Sequence, residues 1–300
     1  MSLVRIASLV PSATETLFAL GLDDDIIAVT HECDHPEQAL ELPQLTRNAL
    51  PEGLNAGEID AAVRARTDQG ESIYELDSEL LAELEPDLIV TQALCPVCAV
   101  SYEDVRTLAE EIESQPSVLS LDPHTFGEVL GTVRTLAEAT NRRDAGVAVV
   151  QDAAARVDRV RLAVRDAERP RVVAIEWMNP AYVAGHWTPQ LIEYAGGEDV
   201  LGMPGEPSER RSWEEIAAVE PDVVVAMPCG YDAARSYEEA LDFSDRLAPL
   251  GARVVAVDAS GFFSRPGPRL VDGLEVLAQA LHPDRVDWAL GGALEGVGAV

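Results

Sequence analysis

Cys95 and Cys98 stand in a Cys-x-x-Cys pair, and Cys33 lies within the run His31-Glu32-Cys33-Asp34-His35. Two thiolates at that spacing reach one ion, and Cys33 with His31 or His35 completes a tetrahedral set suited to zinc or another soft metal. The same cysteines also read as a redox pair or as small buried apolar side chains. A second group is aromatic: Trp177, Tyr182, Trp187, Phe262 and Phe263, with His186, Cys229 and Arg265 close by in sequence. Apolar walls carrying a few polar groups suit a flat organic ligand, and the same rings would equally serve as core. Pro11 and Ser12 open a helix in which Ser12-Ala13-Thr14-Glu15 matches a capping box, so Ser12 reads as a cap rather than a nucleophile. The same helix N-terminus could hold an anionic ligand group. No GxSxG, Walker A or GxGxxG pattern occurs, which leaves hydrolase, P-loop and dinucleotide readings without support.

These residues share a position relative to the elements that must carry them. Apolar runs at Leu3–Val10, Ile26–Thr30, Leu88–Gln92 and Val118–Leu121 predict strands of a buried parallel sheet. They lead respectively into Pro11-Ser12, into His31–His35, into Cys95–Cys98, and into Asp122-Pro123-His124. In the second half, Arg171–Glu176, Val223–Met227 and Arg253–Val257 predict strands leading into Trp177–Trp187, Pro228–Tyr231 and Ser260–Arg265. Ligands of open parallel sheets bind beyond the carboxyl ends of the strands, so both groups are expected to face one cleft. Apolar residues at steps of three or four over Asp144–Glu168 predict a helix of about 37 Å, long enough to join two lobes. Asn141-Arg142-Arg143 marks a break before it, and Thr125/Glu128 and Ser212/Glu215 are further capping boxes. The helix, Glu-Pro-Asp and strand of Leu80–Val90 recur at Glu215–Val225, which suggests a duplicated architecture. The expected organisation is an α/β lobe over 1–124, a linking helix over 125–168, a second α/β lobe over 169–282 and a fraying tail over 283–300.

Composition narrows the function. The chain has 300 residues, 53 acidic against 22 basic, and a formal net charge of −31. Every basic residue is Arg; there is no Lys. A basic surface for nucleic acid is missing, and an anionic membrane would repel the chain. Dense carboxylates on a Lys-free chain fit a halophile, because hydrated acids stay soluble in concentrated salt. The first residues run straight into a strand pattern, with no charged region followed by a long apolar stretch and a cleavage site. No segment approaches the ~20 apolar residues of a membrane span. The expectation is a cytoplasmic monomer, with an extracytoplasmic location the alternative where a leader precedes the chain.

The segment Ser8-Leu9-Val10-Pro11-Ser12-Ala13-Thr14-Glu15 with Leu20-Gly21 resembles the start of the receptors that serve ABC importers of cobalamin and iron-siderophores. Asp34-His35-Pro36, Glu85-Pro86-Asp87-Leu88-Ile89 and Arg265-Pro266-Gly267-Pro268-Arg269 extend the resemblance to about residue 282. It implies a class III substrate-binding protein: two Rossmann-like parallel-sheet lobes joined by a rigid helix, with a metal chelate such as cobalamin between them and no catalysis. It further implies that Trp177–Tyr182 and Phe262, Phe263 and Arg265 meet the corrin ring, and that Glu103 and Glu214 dock on a transporter permease. The third-strand loop, Gln92–Cys98, departs from the cobalamin receptor pattern, which carries a Trp there. Two other readings stand beside this one. One is a cytosolic metal or corrinoid handling protein using direct Cys/His ligation; the other is a thiol redox enzyme.

Overall fold

The computed structural model describes residues 4–51, 53–69, 71–93, 102–288 and 294–297. Two compact units divide the chain: Met1–Pro123 with Leu130–Val150, and His124–Val129 with Gln151–Val300. Residues 125–168 are thus shared between the units and do not form a third.

In the first unit, β1 (Ile6–Ser8), β2 (Ile26–Ala28), β5 (Leu88–Thr91) and β6 (Ser117–Ser120) make a parallel sheet in the order β2-β1-β5-β6. Helices α1 (Pro11–Ala19), α3 (Ser78–Glu83) and α4 (Tyr102–Glu111) follow strands or lead into them, and β3 (Thr46–Asn48) pairs antiparallel with β4 (Tyr74–Leu76) across α2 (Ala56–Thr67). Successive strand side chains point to opposite faces, so the continuous apolar runs fill two cores. Ile6, Leu88 and Val90 pack with Ala13 and Leu17 of α1, while Ala7 and Ile89 pack with Leu81 of α3 and Val105 of α4. The first core also takes Val133 and Leu136 of α5 (Phe126–Ala139) and Val150 of α6 (Arg143–Val164).

The break expected near Asn141 is a helix end with a physical signature. Asn141 adopts φ 57°, and the Arg142 N–H donates to the Ala137 carbonyl at 2.7 Å, closing the last turn of α5 through a left-handed cap. The helix expected to reach Glu168 stops at Val164, five residues before Arg169, which Pro170 pushes toward extended backbone.

In the second unit, β7 (Arg171–Met178), β11 (Val223–Ala226) and β12 (Arg253–Val257) are parallel neighbours. Around them lie β8 (Ala181–Val183) and β10 (Glu209–Arg210) on one side and β13 (Leu294–Val297) on the other, with β9 (Glu198–Asp199) also paired to β7. Val173, Ile175, Val224, Ala226, Val254 and Ala256 pack on Ile216 of α8 (Trp213–Ala218) and Ala240 of α9 (Ala233–Asp242). The remaining helices are α7 (Thr188–Tyr194), α10 (Ser244–Leu247), α11 (Ala259–Phe262) and α12 (Leu270–Leu281), the last almost wholly buried.

Three sequence expectations need correction. The tail does not simply fray, because β13 pairs antiparallel with β12 and covers the open hydrogen bonds of that strand's edge. Ser12 is not a cap: α1 begins at Pro11, whose fixed φ suits the first helical position, and Val10 occupies the cap with no side-chain bond. The segment Trp177–Tyr182 is a hairpin rather than a loop: β7 runs on through Met178 and returns as β8, with Trp177 opposite Tyr182 and Met178 opposite Ala181. The capping boxes at Thr125/Glu128 and Ser212/Glu215 are both formed.

The repeated segment adopts one conformation in both units. α3 and β5 match α8 and β11 residue for residue, and Glu85 and Glu220 take φ 41° and 46° at the same step of the turn.

Candidate ligand-binding site

Each strand of the second unit ends in residues that differ from its apolar body, and hydrogen bonds tie those ends together. The Met227 and Cys229 N–H groups donate to the carbonyls of Ile175 and Glu176, both at 2.9 Å, so the chain after β11 stays beside the end of β7. Gly230 turns with φ 79°, and its N–H donates to Ser264 Oγ at 3.4 Å. The Ser260 N–H donates to the Tyr231 carbonyl at 2.9 Å, and Arg265 Nη2 donates to Ser260 Oγ at 3.3 Å. Three strand ends are thereby held in one arrangement.

Trp177 is its most distinctive element. Its ring meets Tyr231 edge to face with centroids 5.8 Å apart, and the Arg235 guanidinium lies 3.7 Å from the Tyr231 ring centre. The indole Nε1–H donates to the Asn179 carbonyl at 3.2 Å within the hairpin turn. Tyr231 is buried, whereas Trp177 remains partly open. The indole is therefore fixed in orientation yet keeps surface available, which is what stacking on a flat ligand requires. Glu176 adjoins it. Protein atoms crowd its carboxyl although the residue as a whole keeps some exposure, and burial pushes it up to about 7, opposed by the Ser208 hydroxyl.

Three of the other expected ligand-binding residues, Trp187, Phe262 and Phe263, are buried in packing. Trp187 is buried and donates Nε1–H to the Phe263 carbonyl at 2.8 Å. Phe263 and Phe262 are buried, and Arg269 lies over the Phe262 ring. Tyr182 is half-buried in the hairpin, Cys229 is exposed, and His186 is half-buried. Pro11 and Ser12 occupy the first turn of α1 in the first unit. Glu103 and Glu214 are exposed in the first turns of α4 and α8.

The expected metal residues are only partly within the described structure. Cys95 and Cys98 lie outside the described residues. Cys33 is buried in the first core, with its Sγ 3.1 Å from Thr14 Oγ1 and 3.2 Å from Thr30 Oγ1. His31 Nδ1 is bonded to Thr46 Oγ1 at 2.7 Å, and its ring lies 5.4 Å from that of Tyr74. His35 is exposed ahead of Pro36. Among the described residues, no three His, Cys, Asp or Glu side chains come together as a metal site.

Sequence reasoning omitted Glu176, Tyr231 and Arg235 from the candidates. An acid interrupting the apolar run of β7 was the available signal for Glu176. Tyr231 and Arg235 gain their roles only from the tertiary stack.

The sequence model of the periplasmic binding protein family matches residues 6–246. The chain belongs to that family. Among curated relatives, the vitamin B12-binding protein of Vibrio cholerae is 22% identical over 273 residues, covering 90% of this chain and 86% of the relative. An uncharacterized ABC transporter substrate-binding lipoprotein of Bacillus subtilis is also 22% identical, covering 93% of this chain and 80% of its own length. Among solved structures, a periplasmic heme-binding protein from Pseudomonas aeruginosa aligns with TM-score 0.71 at 19% identity over 97% of each chain. The periplasmic vitamin B12-binding protein of Vibrio cholerae aligns with TM-score 0.62 at 22% identity, over 93% of this chain and 96% of that one. The fold is the α/β fold of class III periplasmic binding proteins. These findings overturn the expected cytoplasmic location: the family and these relatives are periplasmic proteins or lipoproteins, which points outside the cytoplasm. No helix among the described residues is long and apolar enough to cross a membrane.

Proposed function

We propose that this chain is a non-catalytic substrate-binding protein for a metal chelate of corrin or porphyrin type, serving an ABC-type uptake system. The observation that carries the reading is the Trp177 indole, partly open and locked by Tyr231 and the Asn179 carbonyl. A pre-set aromatic surface lowers the ordering cost of binding a rigid macrocycle. Arg265, held at the same strand ends, would meet a carboxylate, amide or phosphate on the ligand's edge. The names of the relatives support the same ligand class. Glu103 and Glu214, exposed on α4 and α8, are proposed as the acidic points that meet the permease.

Calorimetric and visible-absorbance titration with cyanocobalamin, hemin and a ferric hydroxamate tests the reading. One of the two macrocycles should bind at micromolar concentration or tighter, and the hydroxamate at least tenfold more weakly. Failure of both macrocycles to bind below 100 µM would reject this ligand class.

A further inference from the structure

A separate feature of the second unit is a pair of histidines from distant parts of the chain. The rings of His124 and His186 lie 6.0 Å apart, centre to centre, with an interplanar angle of 32°. We infer that His124 and His186 together bind a late first-row divalent metal ion through their imidazole nitrogens.

Distance supports the inference first. Two imidazoles sharing one ion, each nitrogen about 2.1 Å from it, put their ring centres roughly 4.5–5.5 Å apart at octahedral or tetrahedral angles and about 6.5 Å apart when opposite one another. The pair at 6.0 Å therefore needs only a small side-chain rotation to close on an ion. Both backbones are also held in place. His186 adopts φ 51°, a left-handed conformation that is uncommon outside glycine, though asparagine, aspartate and histidine enter it more readily than other side chains. The conformation is imposed by bonds on both sides: the His186 N–H donates to the Glu206 carbonyl at 2.7 Å, and the Gly205 N–H donates to the His186 carbonyl at 2.9 Å. Gly185 makes this approach possible, since a Cβ there would come 2.3 Å from the Glu206 carbonyl oxygen. The His186 ring further packs on Trp187 with centroids 5.4 Å apart. His124 is positioned by the start of α5, where its N–H and that of Thr125 donate to Glu128 Oε2 at 2.7 and 3.0 Å. That first turn is bolted to α7, because the Phe126 N–H donates to Gln190 Oε1 at 2.8 Å and the Phe126 ring meets Tyr194 edge to face.

The chemistry agrees with the geometry. Imidazole suits nickel, copper and zinc, whereas magnesium and calcium prefer oxygen. Two protein nitrogens leave the remaining coordination positions to water or to donors brought by a bound ligand. This inference stands independently of the Trp177 reading.

The test is calorimetric titration of chelator-dialysed protein with nickel and zinc sulfate, in 1 M KCl and 10 mM MgCl2 to suppress binding to surface carboxylates. One ion per chain should bind with a dissociation constant of about 10 µM. His124→Gln and His186→Asn should each weaken binding at least tenfold; asparagine keeps the left-handed backbone accessible. Should His186→Asn fail to fold, the exposed His124→Gln decides alone. Undiminished affinity in the variants, as thiolate ligation elsewhere would produce, overturns the inference. So does the absence of binding below 1 mM in the parent.

Discussion

Trp177 meets Tyr231 edge to face at 5.8 Å, and the Arg235 guanidinium lies 3.7 Å from the centre of the same Tyr231 ring. Of the two rings, Tyr231 is buried and only Trp177 keeps open surface for a flat ligand. Trp177→Ala should therefore lower macrocycle affinity by ten- to a hundredfold, about 1.4 to 3 kcal/mol. Trp177→Phe should lose less, since a smaller ring still stacks. Arg235→Ala acts only by loosening Tyr231 and should cost less than tenfold. Equal affinity in parent and Trp177→Ala, by titration calorimetry, would remove Trp177 from the site.

Glu176 gives a pH dependence with a defined sign. Its folded-state value, about 7, lies above the ordinary carboxyl value of 4.5 because burial disfavours the charge. The folded state therefore holds the proton more tightly than the unfolded chain. Its contribution to stability is fully present below pH 4.5 and is lost as pH rises through about 7. The loss is at most about 3 kcal/mol, and less because the residue is partly exposed. Glu176→Gln cannot ionise, so it should raise the unfolding temperature by several degrees at pH 8 and hardly at all at pH 5. An equal effect at both pH values in scanning calorimetry would mean the carboxyl titrates normally.

Arg5 and Arg171 perform the same task in the two units. Arg5 Nε and Nη2 donate to the Leu84 carbonyl at 3.1 and 2.6 Å, and Arg171 Nε and Nη2 donate to the Val219 carbonyl at 3.2 and 2.7 Å. Their backbone N–H groups donate to Asp87 and Asp222 at 2.9 and 2.8 Å. Each fork caps the last carbonyls of a short helix whose Glu-Pro-Asp turn cannot cap itself. Lysine cannot reproduce the fork. Arg171→Lys, at a half-buried position, should cost about 1 kcal/mol, and Arg5→Lys, exposed, about half that. The two forks share no partner and belong to separate units, so the double variant should show the sum in urea unfolding. A cost for the double variant well beyond that sum would indicate that the two turns are coupled.

The contrast between what the chain discloses and what it conceals follows the range of the forces involved. Strands such as Val223–Ala226 are buried on both faces and therefore appear as unbroken apolar runs. The Ser212/Glu215 cap depends on residues three apart and is visible for the same reason. The short strands β8, β9, β10 and β13 span only two to four residues, too few for any periodicity to register. Aromatic type alone could not separate Trp187, whose indole N–H is spent on Phe263, from Trp177, which keeps an open surface. That distinction is made by partners up to 76 residues away. Tyr231 and Arg235 likewise acquire meaning only once β11 and β7 are side by side.

The acid excess makes a last prediction about salt. With 53 acidic and 22 basic residues, the compact state concentrates like charge that the unfolded chain spreads out. Screening lengths fall from about 10 Å in 0.1 M salt to about 3 Å at 1 M, so added KCl should relieve this repulsion. The same salt weakens favourable ion pairs, and the balance depends on what those pairs contribute. Arg47 and Glu75 lie 2.5 Å apart, but their side chains are 80% and 47% exposed, so such a pair is worth only about 0–1 kcal/mol. The better enclosed contacts of Arg156 with Glu275 and Asp272 are short and buried enough to resist screening. Relief of repulsion should therefore win, and the unfolding temperature should rise between 10 mM and 1 M KCl, with NaCl equally effective. Most of the gain should come below about 0.5 M, where screening length changes fastest. A flat or falling unfolding temperature over this range would show that the carboxylates are spaced too widely for their repulsion to matter, and would remove the physical basis for reading this composition as salt adaptation.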